Sequence, residues 1–192
     1  ALGPENLLIF TSSVVAGHPA AGLPRFTVSA KSPLTDGIGE TRCEGPWGNA
    51  LKACGADAVV VQGASPTPVA LRIERGTVEF IDASPWWGQT VGVAVDGIER
   101  QFCGDLHVAA IGPAGEQRVR FASIVADRTF QAARMGMGAV MGAKRLKAVA
   151  IAGGNTPAPA DPDTLARLTR SFGERIPGNA LSRWQRDPPG FA

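Results

Sequence analysis

The sequence predicts an α+β fold built mainly from short strands in mixed or antiparallel sheets. Three observations predict it. Seven β-like runs recur before residue 154, each bounded by Gly, Pro, Asp or Asn; only three spans in the same region carry a helical apolar period; and the composition changes after Gly154.

Taken in order, "LLIF" (7–10) and "RFTVSA" (25–30) read as strands, and Trp47 to Ala53 reads as a first helix. "DAVVVQG" (57–63) is a third strand. In "VALRIERGTVEFI" (69–81) Val69, Leu71 and Ile73, then Val78 and Phe80, alternate with polar residues around Arg75–Gly76, the pattern of a hairpin with one wet face. From Val91 to Phe102, residues Val91, Val95, Ile98 and Phe102 share one helical face. "HVAAIG" (107–112) and "RVRFASIV" (118–125) read as strands, 139–146 as a helix, and "KAVAIAGG" (147–154) as a last strand. Pro157, Pro159 and Pro162 then mark a linker. Asp161 can cap a helix with Pro162 at its first position and Leu165, Leu168 and Phe172 on one face. Residues 1–154 are therefore read as one domain. Residues 155–192, whose tail has no core of its own, are read as a linker and the truncated start of a helical second domain.

Composition narrows the function classes. With 192 residues, 44% of them hydrophobic, the chain can bury a sizeable core. A net charge of +2 without blocks of like charge gives no footprint for nucleic acid. No apolar run is long enough to span a membrane and the start lacks a signal-peptide layout, so the default location is cytoplasmic. The missing initiator Met, with a strand following almost at once, is read as a chain that begins inside a larger polypeptide. Cys43, Cys54 and Cys103 have no C-x-x-C spacing, which argues against a disulfide framework and against a self-contained zinc or iron–sulfur site. His107, inside an apolar run, reads as a core or edge residue rather than a ligand.

The stretch "RMGMGAVMGAKRLKAVAI" (134–151) sets Gly136, Gly138 and Gly142 just ahead of Lys144, Arg145 and Lys147. It fails both nucleotide motifs. The third glycine comes one residue late for G-x-G-x-x-G, and Ala143 and Arg145 break a P-loop. From the residues alone two readings stay open: a tight turn packing a helix against a sheet, or backbone N–H groups that approach an anion.

Five segments in order decide between broader readings. "RFTVSAKSPLTDGIGE", "GPWGNALKACGADAVVVQG", "IDASPWWG", "AAIGPAGEQRVRFASIVADR" and "MGAVMGAKRLKAVAI" together resemble the N-terminal domain of the tungsten-containing aldehyde ferredoxin oxidoreductase family, over most of residues 1–154. The resemblance implies a β-rich base under a tungsten (or molybdenum) bis-pterin cofactor, with Mg²⁺ bridging the two pterin phosphates. It also implies a [4Fe–4S] cluster held outside this chain by a C-x-x-C-x-x-x-C group and a distant Cys. The implied reaction oxidises an aldehyde to a carboxylic acid, with ferredoxin or another iron–sulfur carrier as electron acceptor and the enzyme as a possible homo- or hetero-oligomer. Neither nucleic acid nor membrane is implied as a partner, and no catalytic residue is assigned within this chain. The glycines and basic residues of 134–151 would belong to the wall and support of the pterin-phosphate cradle.

Arg25 matches the family arginine that faces a cofactor phosphate, a role suited to its bidentate donors. In "GETRCEGPWG" the family has an Asn-Ser-Gly-Gly run, so Arg42, Cys43 and Glu44 depart from it before the retained Gly45. Arg42 would still offer a backbone carbonyl to Mg²⁺, a hard ion that prefers oxygen. Glu44 is left with three options: reaching the metal site, pairing with Arg42, or pointing to solvent. Cys43 is a sulfur near the pterin or, better, a packed small side chain. In "ADRTFQAARMGMG", Asp127, Ala132, Arg134, Gly136 and Gly138 fit the family pattern, while Phe130 stands in place of an arginine and Ala133 in place of a glycine. Gln131 would offer the second Mg²⁺ carbonyl, and Arg128 or Arg42 would make up the lost positive charge. These departures suggest a divergent branch, with an aromatic acyl thioester reductase as one alternative and a noncatalytic orphan or assembly domain as another.

Overall fold

The computed structural model of the chain describes residues 1–20, 23–102 and 104–187. Cys103, one of the three cysteines considered above, lies outside the described residues. Strands β1 (Leu8–Ser12), β2 (Arg25–Lys31), β3 (Ile38–Glu44) and β4 (Ala58–Val61) form one antiparallel sheet in the order β3-β2-β1-β4. Strands β5 (Val69–Glu74), β6 (Thr77–Asp82), β7 (Leu106–Ala110), β8 (Ile124–Ala126), β9 (Phe130–Ala132) and β10 (Leu146–Ala152) form a second, mixed sheet in the order β6-β5-β10-β7-β8-β9. Only β5 and β10 run parallel in it; the other neighbours are antiparallel. The α+β class with mixed and antiparallel sheets is what the sequence predicts.

Helices α1 (Trp47–Ala53), α2 (Val91–Gln101), α3 (Pro113–Glu116), α4 (Met137–Ala143), α5 (Pro162–Arg175) and α6 (Ala180–Arg186) complete the chain. The inner face of the four-stranded sheet meets one face of the six-stranded sheet in a core that includes Leu8, Phe10, Phe26, Val28, Leu71, Val149 and Ile151. Trp47 of α1 pins that core. Its ring lies 4.5 Å from Phe26 and 5.4 Å from Phe10, and its indole N–H donates to the Val149 carbonyl at 3.0 Å, so its one polar atom is satisfied inside the core. The other face of the six-stranded sheet packs on α2 through Ala94, Val95 and Ile98. Because both of its faces are covered, β10 is buried almost throughout and its sequence shows no alternation. The opposite face of the four-stranded sheet is open: β3 alternates exposed and buried residue by residue.

The β5–β6 hairpin turns on Arg75 and Gly76, both at positive φ (48° and 76°), as a two-residue loop of this hand requires. Asp161 caps α5, accepting from the Thr164 N–H at 2.9 Å, with Pro162 in the first turn. Three expectations need correction. Residues 118–121 form a turn, with Arg118 at φ 57°, so the run read as 118–125 yields only the short β8. The helix read at 139–146 is displaced to Met137–Ala143, and Leu146 opens β10. Strands β3 and β9 occupy segments that are not among the predicted strands. Beyond α5 the tail adds α6, which Asn179 caps through the N–H groups of Leu181 and Ser182.

Candidate functional site

The register of β2 against β3 builds the site. Arg25 lies directly opposite Glu44, Phe26 opposite Cys43 and Thr27 opposite Arg42. Alternation sends Phe26 and Cys43 into the core and leaves Arg25, Arg42 and Glu44 on the open face. Arg25 donates to Glu44 Oε1 at 2.8 Å, with the two side chains 50% and 64% exposed. Arg42 donates from Nε to Glu40 Oε1 at 3.2 Å. Beside them is an open depression of about 340 Å³, lined by Thr11, Ser12, Ser13 and Thr27 together with Arg25 and Arg42. The Ser12 Oγ is buried and has no hydrogen-bond partner among the described residues.

The second wall comes from the other sheet. Strands β3 and β9 are edges of their respective sheets, and they meet. Gly45, at φ 99°, leaves no room for a side chain, because a Cβ there would overlap the ring of Phe130. The Arg134 N–H donates to Thr41 Oγ1 at 3.2 Å, and the Ser32 hydroxyl donates to the Met135 carbonyl at 2.9 Å. Gln131, Ala133 and Arg134 face solvent beyond this seam. Residues 130–134 thus meet the 41–45 end of β3, across from Arg25, while Arg25 and Arg42 line the depression.

Several residues singled out in the sequence go elsewhere. Glu44 pairs with Arg25, not with Arg42. Cys43 is 1% exposed and burial, reinforced by Asp127 and Glu44, pushes its thiol up to about 12, so the sulfur stays protonated inside the core and only the Cys43 backbone can meet a ligand. Arg128 does not replace the missing arginine: it is held by Asp96 Oδ1 at 2.6 Å and by Glu99 Oε2 at 2.5 Å, both on α2, and these hydrogen bonds raise its pKa. Asp127 accepts from the Val108 N–H at 2.9 Å and lies 3.1 Å from His107 Nδ1. That bond raises the His107 pKa above 6.5.

The glycine-rich stretch is a packing element. A Cβ at Gly136 would overlap the Arg120 carbonyl, one at Gly138 the Ser123 carbonyl, and one at Gly142 the Gly115 carbonyl. Lys144, 3% exposed, donates to the carbonyls of Gly63 at 2.9 Å and Pro4 at 3.2 Å. Arg145 donates to the Pro66 carbonyl, and Lys147, fully buried, is paired with Glu116 and donates to the Gln89 carbonyl at 2.9 Å. None of the three supports the site as expected. Sequence reasoning missed the Thr11–Ser13 hydroxyls; the signal is the polar end of an otherwise apolar strand, but only the β1–β2 register, with Ser12 opposite Phe26, brings them beside Arg25.

Among the described residues, no group of three or more His, Cys, Asp or Glu side chains is placed to hold a metal, and no helix is long and apolar enough to cross a membrane.

Known proteins share this architecture. The chain is 44% identical over 153 residues to a tungsten-containing aldehyde ferredoxin oxidoreductase of Thermococcus kodakarensis, covering 79% of this chain and 25% of that protein. It is 34% identical over 196 residues to an aliphatic sulfonate oxidoreductase, WOR-like subunit, of Pyrococcus furiosus, covering 91% and 30%. Among solved structures it superposes with a TM-score of 0.90 and 37% identity on a chain of the active site complex BamBC of benzoyl coenzyme A reductase in complex with 1,5-dienoyl-CoA, covering 97% of this chain and 28% of that one. The chain therefore spans between a quarter and a third of the length of these relatives. The family model for the aldehyde ferredoxin oxidoreductase N-terminal domain matches residues 1–153, and the chain belongs to that family of tungsten oxidoreductases.

Proposed function

We propose that this chain is the cofactor-binding portion of a tungsten or molybdenum bis-pterin, iron–sulfur oxidoreductase that converts aldehydes to carboxylic acids and passes electrons to ferredoxin. The observation that carries the reading is that Arg25 and Arg42 line a depression with hydroxyls, and that the end of β3 that carries Arg42 meets residues 130–134. Its chemistry fits a phosphate-bearing group. Guanidinium groups and hydroxyls donate to oxyanions, and Ser12 Oγ is a buried polar atom still without a partner.

In this reading Arg25 holds a phosphate, and the backbone carbonyls of Arg42 and Gln131 are offered to a bridging Mg²⁺. Glu44, Gly45, Ala133, Arg134 and the backbone of Cys43 line the rest of the site. Phe130, seated on Gly45, closes its apolar side and excludes water there. When bound, the metal–pterin group supplies the two-electron chemistry at the substrate carbon, with water as the oxygen source. The [4Fe–4S] cluster is assigned to residues outside this chain. A second reading, reduction of an aromatic acyl thioester, is favoured by the likeness to the BamBC complex.

The test is composition of the protein purified from its native cells. Tungsten or molybdenum with iron, and a fluorescent pterin after oxidative extraction, is the expected result; a flavin or nucleotide without either metal overturns the reading.

A further inference from the structure

Resting on the reading of Arg25 as the partner of a phosphate, we infer that Glu44 is a built-in counter-ion of that site, an autoinhibitory carboxylate which an incoming anion must displace. The argument begins with register. Residues 40, 42 and 44 of β3 all point to the open face, so the strand presents Glu-Arg-Glu there, and Arg25 lies across from the last of them. Arg25 and Arg42 each hold one β3 carboxylate: Arg25 is bonded to Glu44 at 2.8 Å and Arg42 to Glu40 at 3.2 Å.

A directly opposed cross-strand pair is the closest approach a sheet allows, and it forms without any ordering of a loop. The Arg25 guanidinium is therefore neutralised in the free protein. An anion arriving from the depression meets either a carboxylate in its place or, if the pair stays closed, a negative charge within a few ångströms. Both outcomes lower affinity. The pair is half-exposed, so the contact is weak enough to be broken by a ligand that offers two or more oxygens to the same guanidinium.

The experiment titrates inorganic phosphate into the ¹⁵N-labelled full chain at constant ionic strength and follows the amide shifts of Arg25 and Thr27. Four proteins are compared: wild type, Glu44→Gln, Arg25→Met and the double variant. Glu79→Gln, which removes a charge from β6 at the opposite edge of the other sheet from β9, is the control. The expected result is phosphate binding about two- to five-fold tighter in Glu44→Gln, the range a displaced exposed ion pair allows. Glu79→Gln should match wild type, and both Arg25→Met proteins should show no saturable shift. If Arg25→Met abolishes binding while Glu44→Gln leaves affinity unchanged, or Glu79→Gln tightens it equally, the counter-ion role is overturned and the reading of Arg25 survives. If Arg25→Met binds phosphate as wild type does, the reading itself fails.

Discussion

Two basic clusters of this chain use the same kinds of side chain for opposite ends. Lys144, Arg145 and Lys147 follow a run of glycines, and all three are consumed by the fold: the lysines are buried, and every cationic head is committed to backbone carbonyls or to Glu116. Arg25 and Arg42 lie on an ordinary-looking strand pair, yet they stand at the mouth of a depression and are held only by exposed carboxylates. The difference lies in what surrounds the charge. A buried ammonium is fixed by the cost of leaving it unpaired, whereas an exposed guanidinium can exchange partners. Charge removed from the first cluster should therefore register as lost stability, and charge removed from the second as lost binding.

The largest effect is expected at Glu116. Its carboxylate accepts from Lys147 on one oxygen and from the Gly88 N–H at 2.7 Å on the other, tying α3, β10 and the 88–89 turn together. Burial depresses the Lys147 pKa and the carboxylate opposes that shift. Glu116→Ala leaves the ammonium unpaired and should cost about 3–5 kcal/mol in chemical denaturation, while Glu116→Leu combined with Lys147→Met should recover most of the loss. A single variant as stable as wild type would break the comparison at its root.

Gly142→Ala should come next, at about 3 kcal/mol, the upper end of ordinary overpacking, because the added methyl overlaps the backbone of Gly115 rather than a movable side chain. The measurement is again the denaturation midpoint at constant slope. An unchanged midpoint would return the glycine cluster to consideration as a ligand loop.

The His107–Asp127 pair, with side chains 23% and 18% exposed, is the intermediate case. The hydrogen bond to Asp127 raises the folded-state pKa of His107 above its ordinary 6.5, so the folded protein holds that proton more tightly than the unfolded chain. The contribution is fully present below about pH 6.5 and is lost as pH rises through the raised value. Thermal melts of wild type should therefore fall across that window, and those of His107→Gln should lose this part of the slope. Equal slopes in the two proteins would dissolve the pair as a stabilising contact.

How far the sequence foretold this arrangement depends on which residues face inward. Trp47–Ala53 was legible as a helix, and α5 was legible because Asp161 and Pro162 carry its start signals. Strand β3 was not, because its inward positions are Gly39, Thr41 and Cys43 while its most apolar residue, Ile38, is 93% exposed, inverting the pattern that marks a strand. Strand β9 has only three residues, too few for any period. The site residues were named through resemblance, and their partners were invisible: Glu44 meets Arg25 only through the strand register, and Lys147 finds Glu116 31 positions away in sequence. Local pattern reads elements, whereas the fate of a charge is decided by contacts distant in the chain.

The smallest expected stability effect, and the sharpest test of the contrast, is Arg25→Met. The side chain is half in water and its one ion pair is of the exposed kind, whose measured worth is about 0.2–1 kcal/mol. Methionine keeps an unbranched stem of similar length, so packing of the aliphatic part is largely retained. The denaturation midpoint should therefore move by less than about 1 kcal/mol, while saturable phosphate binding should vanish. Measured together in one preparation, the two readouts separate the clusters: Glu116→Ala moves the first, and Arg25→Met moves the second. A large loss of stability in Arg25→Met would mean that this guanidinium, like the two lysines, serves the fold and is not the exchangeable partner that the anion-binding reading requires.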